Sequence, residues 1–229
     1  MKIYLADTDK RVVDAWNRKM GMDGYYGDLF NVETDAIVSP ANSFGFMDGN
    51  VDRVISEKLG WHVQKRLQTA IQFIYNGELL VGQAHVLYTE HPTWKYVISA
   101  PTMRVPTKIV DPTAIYLAAR AAVRAGKRTK AIQSMLFTGM GTGCGQMNPE
   151  AAVALMVRGI ADALKEPAFP ASWRDAQADH DELVRIAKKP HVWTTRTIGN
   201  SMYGASIGVC SRCGAQATME TNNTFCEAV

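Results

Sequence analysis

The sequence predicts an α/β protein, a sheet covered by helices on both faces, and three observations carry that prediction. Short apolar runs suited to buried strands alternate with stretches of helical periodicity from the N-terminus to about Leu164. Two of those runs, residues 36–39 and 131–137, empty directly into glycine-bearing loops that lead to helices. A helix start at Asn148-Pro149-Glu150 combines an asparagine cap with proline in the first turn, where its missing N–H costs nothing.

Residues 2–6 read as the first strand. Asp7 or Thr8 can cap the following helix, in which Val12, Val13, Trp16 and Met20 recur at helical spacing until Gly21 and Gly24 end it. A short strand at Tyr25-Tyr26 leads to Gly27-Asp28, and Ala36-Ile37-Val38-Ser39 forms the next. Val51, Val54, Ile55 and Leu59 make one apolar helix stripe and Val63, Leu67, Ile71 and Ile74 another, with Gly60 between them. Residues 84–88 and 96–100 are further strands, separated by a polar, proline-containing segment. Asp111-Pro112 opens an alanine-rich helix to about Ala125, residues 131–137 form a strand, and a helix runs from Pro149 to about Leu164. Pro167 and Pro170 mark a boundary. The predicted domains are therefore residues 1–166 and an extension, residues 167–229, made of one helix over 173–188 and a cysteine-containing segment.

At 229 residues, 47% of them hydrophobic, the chain is long enough to bury a full core. Its net charge of +3 is too mild to favour a nucleic-acid partner, which stays open. The N-terminus lacks the apolar centre of a signal peptide, and no apolar run approaches the roughly 18–20 residues of a membrane span, so the expected setting is cytoplasmic. Cys144 stands alone. Cys210, Cys213 and Cys226 have the spacing C-x2-C-x12-C, three of the four ligands of a structural zinc. The fourth would be His180, His191, the terminal carboxylate or a neighbouring chain; ordinary free cysteines are the alternative.

The loops at residues 43–50 and 139–147 each leave a strand and enter a helix. Exposed N–H groups and two helix N-termini suit a diphosphate, although glycines in either loop alone also serve as tight turns. The first turn, Ala6-Asp7-Thr8-Asp9, lacks the glycine fingerprint that a dinucleotide-dependent dehydrogenase places there, and no GxxxxGK[ST] motif occurs.

GDLFNVETDAIVSPAN followed by GNVD, and the later GTGCGQMNPE, resemble a macro domain over residues 1–166. The resemblance implies a three-layer α/β/α fold with a mixed central sheet that binds ADP-ribose, in some members as a reader and in others as a hydrolase of ADP-ribosyl bonds. By position, Asp28 matches the carboxylate that accepts from the adenine amino group, with Leu29 beside it; a turn aspartate is the plainer reading. Asn42 matches the asparagine that meets the distal ribose, and Asp52 the acid that helps water attack its anomeric carbon. A carboxylate in a first helical turn is also favoured by the dipole alone. Gly49, Asn50 and Val51 of the first loop and Gly141, Thr142, Gly143, Cys144, Gly145 and Gln146 of the second complete the expected ligand contacts. No cofactor is required for that chemistry, and the implied partner is ADP-ribose or an ADP-ribosylated substrate.

Three departures stand out. Asn50 replaces the glycine usual before Val-Asp, Gly145 replaces an aromatic over the distal ribose, and the family's closing strand and helix have no counterpart after Leu164. The opening IYLADTDKRVVDAWNRKM resembles that missing unit, which implies a circularly permuted arrangement with the turn at Asp7 beside the adenine. The expected function is hydrolysis of ADP-ribosyl linkages or processing of an ADP-ribose derivative. The alternative is a non-catalytic reader or sequestering module, and a third class is a nucleic-acid-associated protein using its terminal segment.

Overall fold

A computed structural model describes residues 1–166 and 169–188 in full, and the backbone of residues 193–198, 205–210 and 216–217. The main body is one six-stranded sheet between two helical layers. In chain order the elements are β1 (Lys2–Asp7), α1 (Lys10–Met20), β2 (Tyr25–Tyr26), β3 (Ala36–Ser39), α2 (Asn50–Leu59), α3 (His62–Ile74), β4 (His85–Tyr88), β5 (Tyr96–Ser99), α4 (Thr113–Arg128), β6 (Ser134–Phe137), α5 (Pro149–Leu164) and α6 (Trp173–Ala187). The strand order is β2-β1-β6-β3-β5-β4, parallel throughout except for the antiparallel pair β4 and β5 at one edge.

The two-residue period of the strands explains the layers. Ile3, Leu5, Val38, Ile98, Met135 and Phe137 point to one face, where they pack with buried residues of α1, α4, α5 and α6. Their neighbours Ala6, Ile37, Val97 and Leu136 point to the other, against Ile55 and Leu59 of α2 and Val63, Leu67 and Ile71 of α3. Both faces are apolar because both are covered. The helices α4 and α5 approach so closely that a Cβ at Gly159 would lie 2.5 Å from the carbonyl oxygen of Tyr116.

Several local expectations shift by a residue or two, each for a visible reason. The cap of α1 is Asp9, whose side chain accepts from the N–H of Arg11 at 2.9 Å, rather than Asp7 or Thr8. The strand β6 begins at Ser134 rather than Ala131, because Ile132 closes a turn onto Thr129 and the N–H groups of Gln133 and Ser134 are taken by the Asp35 carboxylate at 2.9 Å. The first strand lies between β2 and β6 with its helix packed on α5, the neighbourhood a permuted arrangement calls for.

The expected boundary at residue 166 divides the chain but not the core. The helix α6, assigned to the extension, buries Leu183 and Ala187 among residues of the main cluster, and Asp179 accepts from Arg158 of α5 at 2.7 Å. Beyond it, β7 (Trp193–Ile198), β8 (Ala205–Cys210) and β9 (Gln216–Ala217) form an antiparallel three-stranded sheet. The zinc expectation falls on residues outside those described, except that Cys210 ends β8. No described helix is long and apolar enough to cross a membrane.

Candidate functional site

Five strands, β2, β1, β6, β3 and β5, run parallel, so their carboxyl ends open on one edge of the sheet, where ligands of α/β proteins sit. A cavity of ≈ 820 Å³ occupies that edge, within the roughly 300–1,000 Å³ typical of small-molecule sites. Strand order fixes the order of its walls. Gly27 and Asp28 follow β2, residues 6–9 close β1, residues 138–145 follow β6, residues 40–54 follow β3, and Thr102 and Met103 follow β5. Asp28 and the pair Asn42 and Asp52 therefore lie on opposite sides of the second glycine loop. They are three strand steps apart, a span of about 14 Å at ordinary strand spacing.

All but one of the sequence-predicted ligand contacts line this cavity: Asp28, Leu29, Asn42, Gly49, Asn50 and Val51 from the first half of the chain, and Gly141, Thr142, Gly143, Cys144 and Gly145 from the second. Gln146 does not. At φ 54° it sits in a turn whose N–H donates to the carbonyl of Gly143 at 3.0 Å, and the chain leaves the cavity there for the buried Met147.

Among the described residues the lining holds five aspartates, Asp7, Asp9, Asp28, Asp48 and Asp52, and no lysine, arginine or histidine. A bound anion would be met by main-chain N–H groups and the N-terminus of α2 rather than by cationic side chains. The glycines make that approach feasible. Gly141 has φ 73° and packs so tightly that a Cβ would lie 2.5 Å from Ile115 Cδ1. At Gly145 a Cβ would lie 2.5 Å from the Gly141 carbonyl oxygen, so no side chain, aromatic or other, fits this loop as folded.

Asp28 also serves as a turn residue: its Oδ1 accepts from the N–H of Phe30 at 2.9 Å, which caps a short 3₁₀ turn and fixes the carboxylate at the cavity wall. Asn42 is committed to its own loop. Its Nδ2 donates to the carbonyl of Phe46 at 2.7 Å, and its Oδ1 accepts from the N–H groups of Phe44 and Phe46 at 3.1 and 3.3 Å. That leaves one amide proton for a ligand. Asn50 holds φ 46°, a conformation asparagine tolerates, and its Nδ2 lies 3.2 Å from where a Cβ on Gly143 would stand. Its side chain thus reaches from the first glycine-bearing loop to the second.

Asp52, in the first turn of α2, lines the cavity but is only 6% exposed. Burial pushes its carboxyl up to about 7; the Ser39 hydroxyl, which donates to Oδ1, opposes that rise, and nearby Asp48 adds to it.

Further residues complete the walls, among them Asp7, whose turn the resemblance places beside the adenine. Asp7, read as a helix cap, bonds the N–H of Gly139 through Oδ2 and that of Asp9 through Oδ1, each at 2.7 Å, and its carbonyl accepts from Gly27. Ser39 holds Asp52. Phe46, Met103 and Pro106 add to the apolar part of the lining, and Thr138 and Thr102 sit just past β6 and β5. The spacing of Asp7 from the end of a strand was the available signal, since a carboxylate there faces the same edge as the glycine loops.

The sequence pattern of the Macro domain family matches residues 38–156, more than half of the chain. The chain belongs to the macro domain family. An uncharacterized protein of Aquifex aeolicus (strain VF5) is 31% identical over 134 residues, covering 58% of this chain and 77% of that protein. Among solved structures, a mutant Oceanobacillus iheyensis macrodomain with ADPR superposes at a TM-score of 0.54 with 22% identity, covering 69% of this chain and 89% of that one. Thermosipho africanus DarTG in complex with ADP-ribose gives 0.50 at 19% identity, covering 69% and 44%. At those identities the likeness establishes the α/β fold.

The buried carboxyl makes a prediction about stability. The folded-state value of Asp52 is raised, so stability is highest where both states keep the proton, below about pH 4, and falls as pH rises toward 7. The full cost, on the order of 4 kcal/mol at most, is present above that. Asp52→Asn should therefore raise the denaturant midpoint clearly at pH 8 and little at pH 4. An equal effect at both pH values would show that the carboxyl is not held against its charge.

Proposed function

We propose that this chain binds ADP-ribose in the cavity and hydrolyses ADP-ribosyl linkages at the distal ribose. The observation that carries the reading is the order of the walls. A fixed carboxylate, Asp28, lies on one side of the second glycine loop, and a buried carboxyl poised near neutrality, Asp52, lies on the other. A ligand matching that order has a base with an amino group at one end, a diphosphate against main-chain N–H groups, and a sugar at the other. Membership of the macro domain family and the likeness to Thermosipho africanus DarTG in complex with ADP-ribose support the same ligand.

In the hydrolytic reading the Asp52 carboxylate takes a proton from a water whose oxygen bonds to the anomeric carbon. The bond from that carbon to the leaving group breaks with its electron pair. The leaving group takes a proton from solvent as it departs while Asp52 returns its proton to solvent, so that water is added across the bond. The positive charge developing at the carbon is also stabilised by the nearby carboxylate. A second reading, a non-catalytic reader, is favoured by two specific observations: the Asn42 amide is mostly spent on its own loop, and the Asn50 side chain stands across the cleft from Gly143.

Calorimetry should give about one ADP-ribose site per chain, and Asp28→Ala should weaken binding by roughly 1.5–3 kcal/mol, the worth of a hydrogen bond to a charged acceptor. Absence of ADP-ribose binding by the folded protein would end both readings, whereas unchanged affinity in Asp28→Ala would remove only the adenine assignment.

Turnover distinguishes the two readings through Asn50. Glycine keeps the positive φ and removes the side chain between the loops. Because a misplacement of about 1 Å can cost on the order of a hundredfold in rate, Asn50→Gly should accelerate release of ADP-ribose from a modified substrate by roughly tenfold or more while changing ADP-ribose affinity much less. Adding Asp52→Ala should abolish the gain. No release by wild type or Asn50→Gly from any ADP-ribosyl linkage offered would make the protein a reader.

A further inference from the structure

Asp52 is short of partners. Its Oδ1 accepts from Ser39, its Oδ2 has no hydrogen-bond partner among the described residues, and the residue lines the cavity. The charged group that bears on it is Asp48, from the loop that precedes α2, and that is a like charge. Among the described residues the lining has no cation, and the Ser39 hydroxyl from β3 is the one side-chain contact that favours the ionised carboxyl.

Ser39 is itself held firmly. It is the last residue of β3, 1% exposed, in register with Ser99 of β5. Its carbonyl accepts from the N–H groups of Ala41 and Ala100, each at 3.0 Å, which fixes the backbone where the strand ends. A serine side chain has a single heavy-atom torsion, so a pinned backbone leaves the hydroxyl only three staggered positions, and the one it occupies reaches Oδ1 of Asp52.

We propose that Ser39 is the positioning residue for Asp52: its hydroxyl anchors Oδ1 at the end of β3 and so turns Oδ2 toward the cavity. The proposal rests on the reading that Asp52 acts on the distal ribose, but the bond itself is testable without turnover. Ser39 touches neither the ligand's reacting atoms nor the leaving group; it acts through Asp52. Serine at the end of β3 thus has a chemical reason, because its short side chain reaches a carboxyl in the first turn of α2.

The test uses the full chain and two readouts. The first is the ionisation midpoint of the Asp52 carboxyl, followed by carbon-13 NMR with the signal assigned by its loss in Asp52→Asn. The second is the pH profile of ADP-ribose release. Removing a bond that favours the charged form raises the midpoint. Ser39→Ala should therefore move the midpoint upward from about 7 by about one unit, tenfold in proton affinity, and shift the acid limb of the rate profile with it. Ser39→Thr, which keeps the hydroxyl, should return both toward wild type, and ADP-ribose affinity at pH 8 should change by less than about threefold in either variant. Ser39→Cys, near in size with a weaker donor, should fall between and serves if the alanine variant does not fold. A folded Ser39→Ala or Ser39→Cys protein with the wild-type midpoint overturns the proposal. If no form releases ADP-ribose, the hydrolytic reading falls alone and the titration still decides whether Ser39 holds Asp52.

Discussion

The carboxylate of Asp7 accepts from the N–H of Gly139 and from that of Asp9, each at 2.7 Å, while the carbonyl of the same residue accepts from Gly27 at 3.0 Å. One residue at the end of β1 thereby joins three walls of the cavity: its own turn, the entry to Asp28, and the start of the second glycine loop. The contact also explains a glycine. A Cβ at position 139 would stand 3.0 Å from Asp7 Oδ2 and 2.9 Å from Thr142 Oγ1, so a side chain there would press on the bond that anchors the loop. What the loop presents to a ligand depends on this junction, because its main-chain N–H groups have a fixed direction only if its first residue is fixed.

Among the described residues the cavity lining has five aspartates and no cation, which constrains how it could receive the anionic ligand proposed above. Charge has to be met by N–H groups and the α2 N-terminus, which costs no side-chain entropy but demands close approach. That requirement accounts for the packing of Gly141 and Gly145, where an added carbon would collide. It also accounts for the environment of Asp52. With no cation to offset burial, its carboxyl is carried up to about 7, and Ser39 supplies the one opposing contact. The site spends stability to hold a carboxyl near neutrality, a pattern expected where function and stability compete.

Much of this was legible in the sequence because strand and helix periods are local. The apolar stripes of α2 and α3, the proline start of α5 and the two strand-to-loop junctions each follow from spacing within about a dozen residues. What was not legible depends on how a loop closes on itself or on partners far along the chain. Asp7 was read as a cap because an aspartate after a strand ordinarily is one, and nothing near it reveals Gly139, 132 residues away. Gln146 was counted as a ligand contact because it follows the glycine run, but the turn closed by its own N–H carries it outward. Asn42 was assigned to the ligand by position, and only the folded loop shows its amide held by Phe44 and Phe46. The packing of α6 is likewise invisible locally: the prolines at 167 and 170 suggest a boundary in the chain, while Leu183 and Ala187 of the helix beyond them are buried in the main cluster.

The central claim is that segments brought together from four strands form a single ligand site held in shape by the β1 junction. Amide hydrogen exchange, measured with and without saturating ADP-ribose, tests it most directly. The account predicts slowed exchange together in residues 27–29, 49–52 and 139–145, reached at one ligand concentration because one molecule spans all three. Protection confined to one of those segments, or appearing at separate ligand concentrations, would contradict a single site.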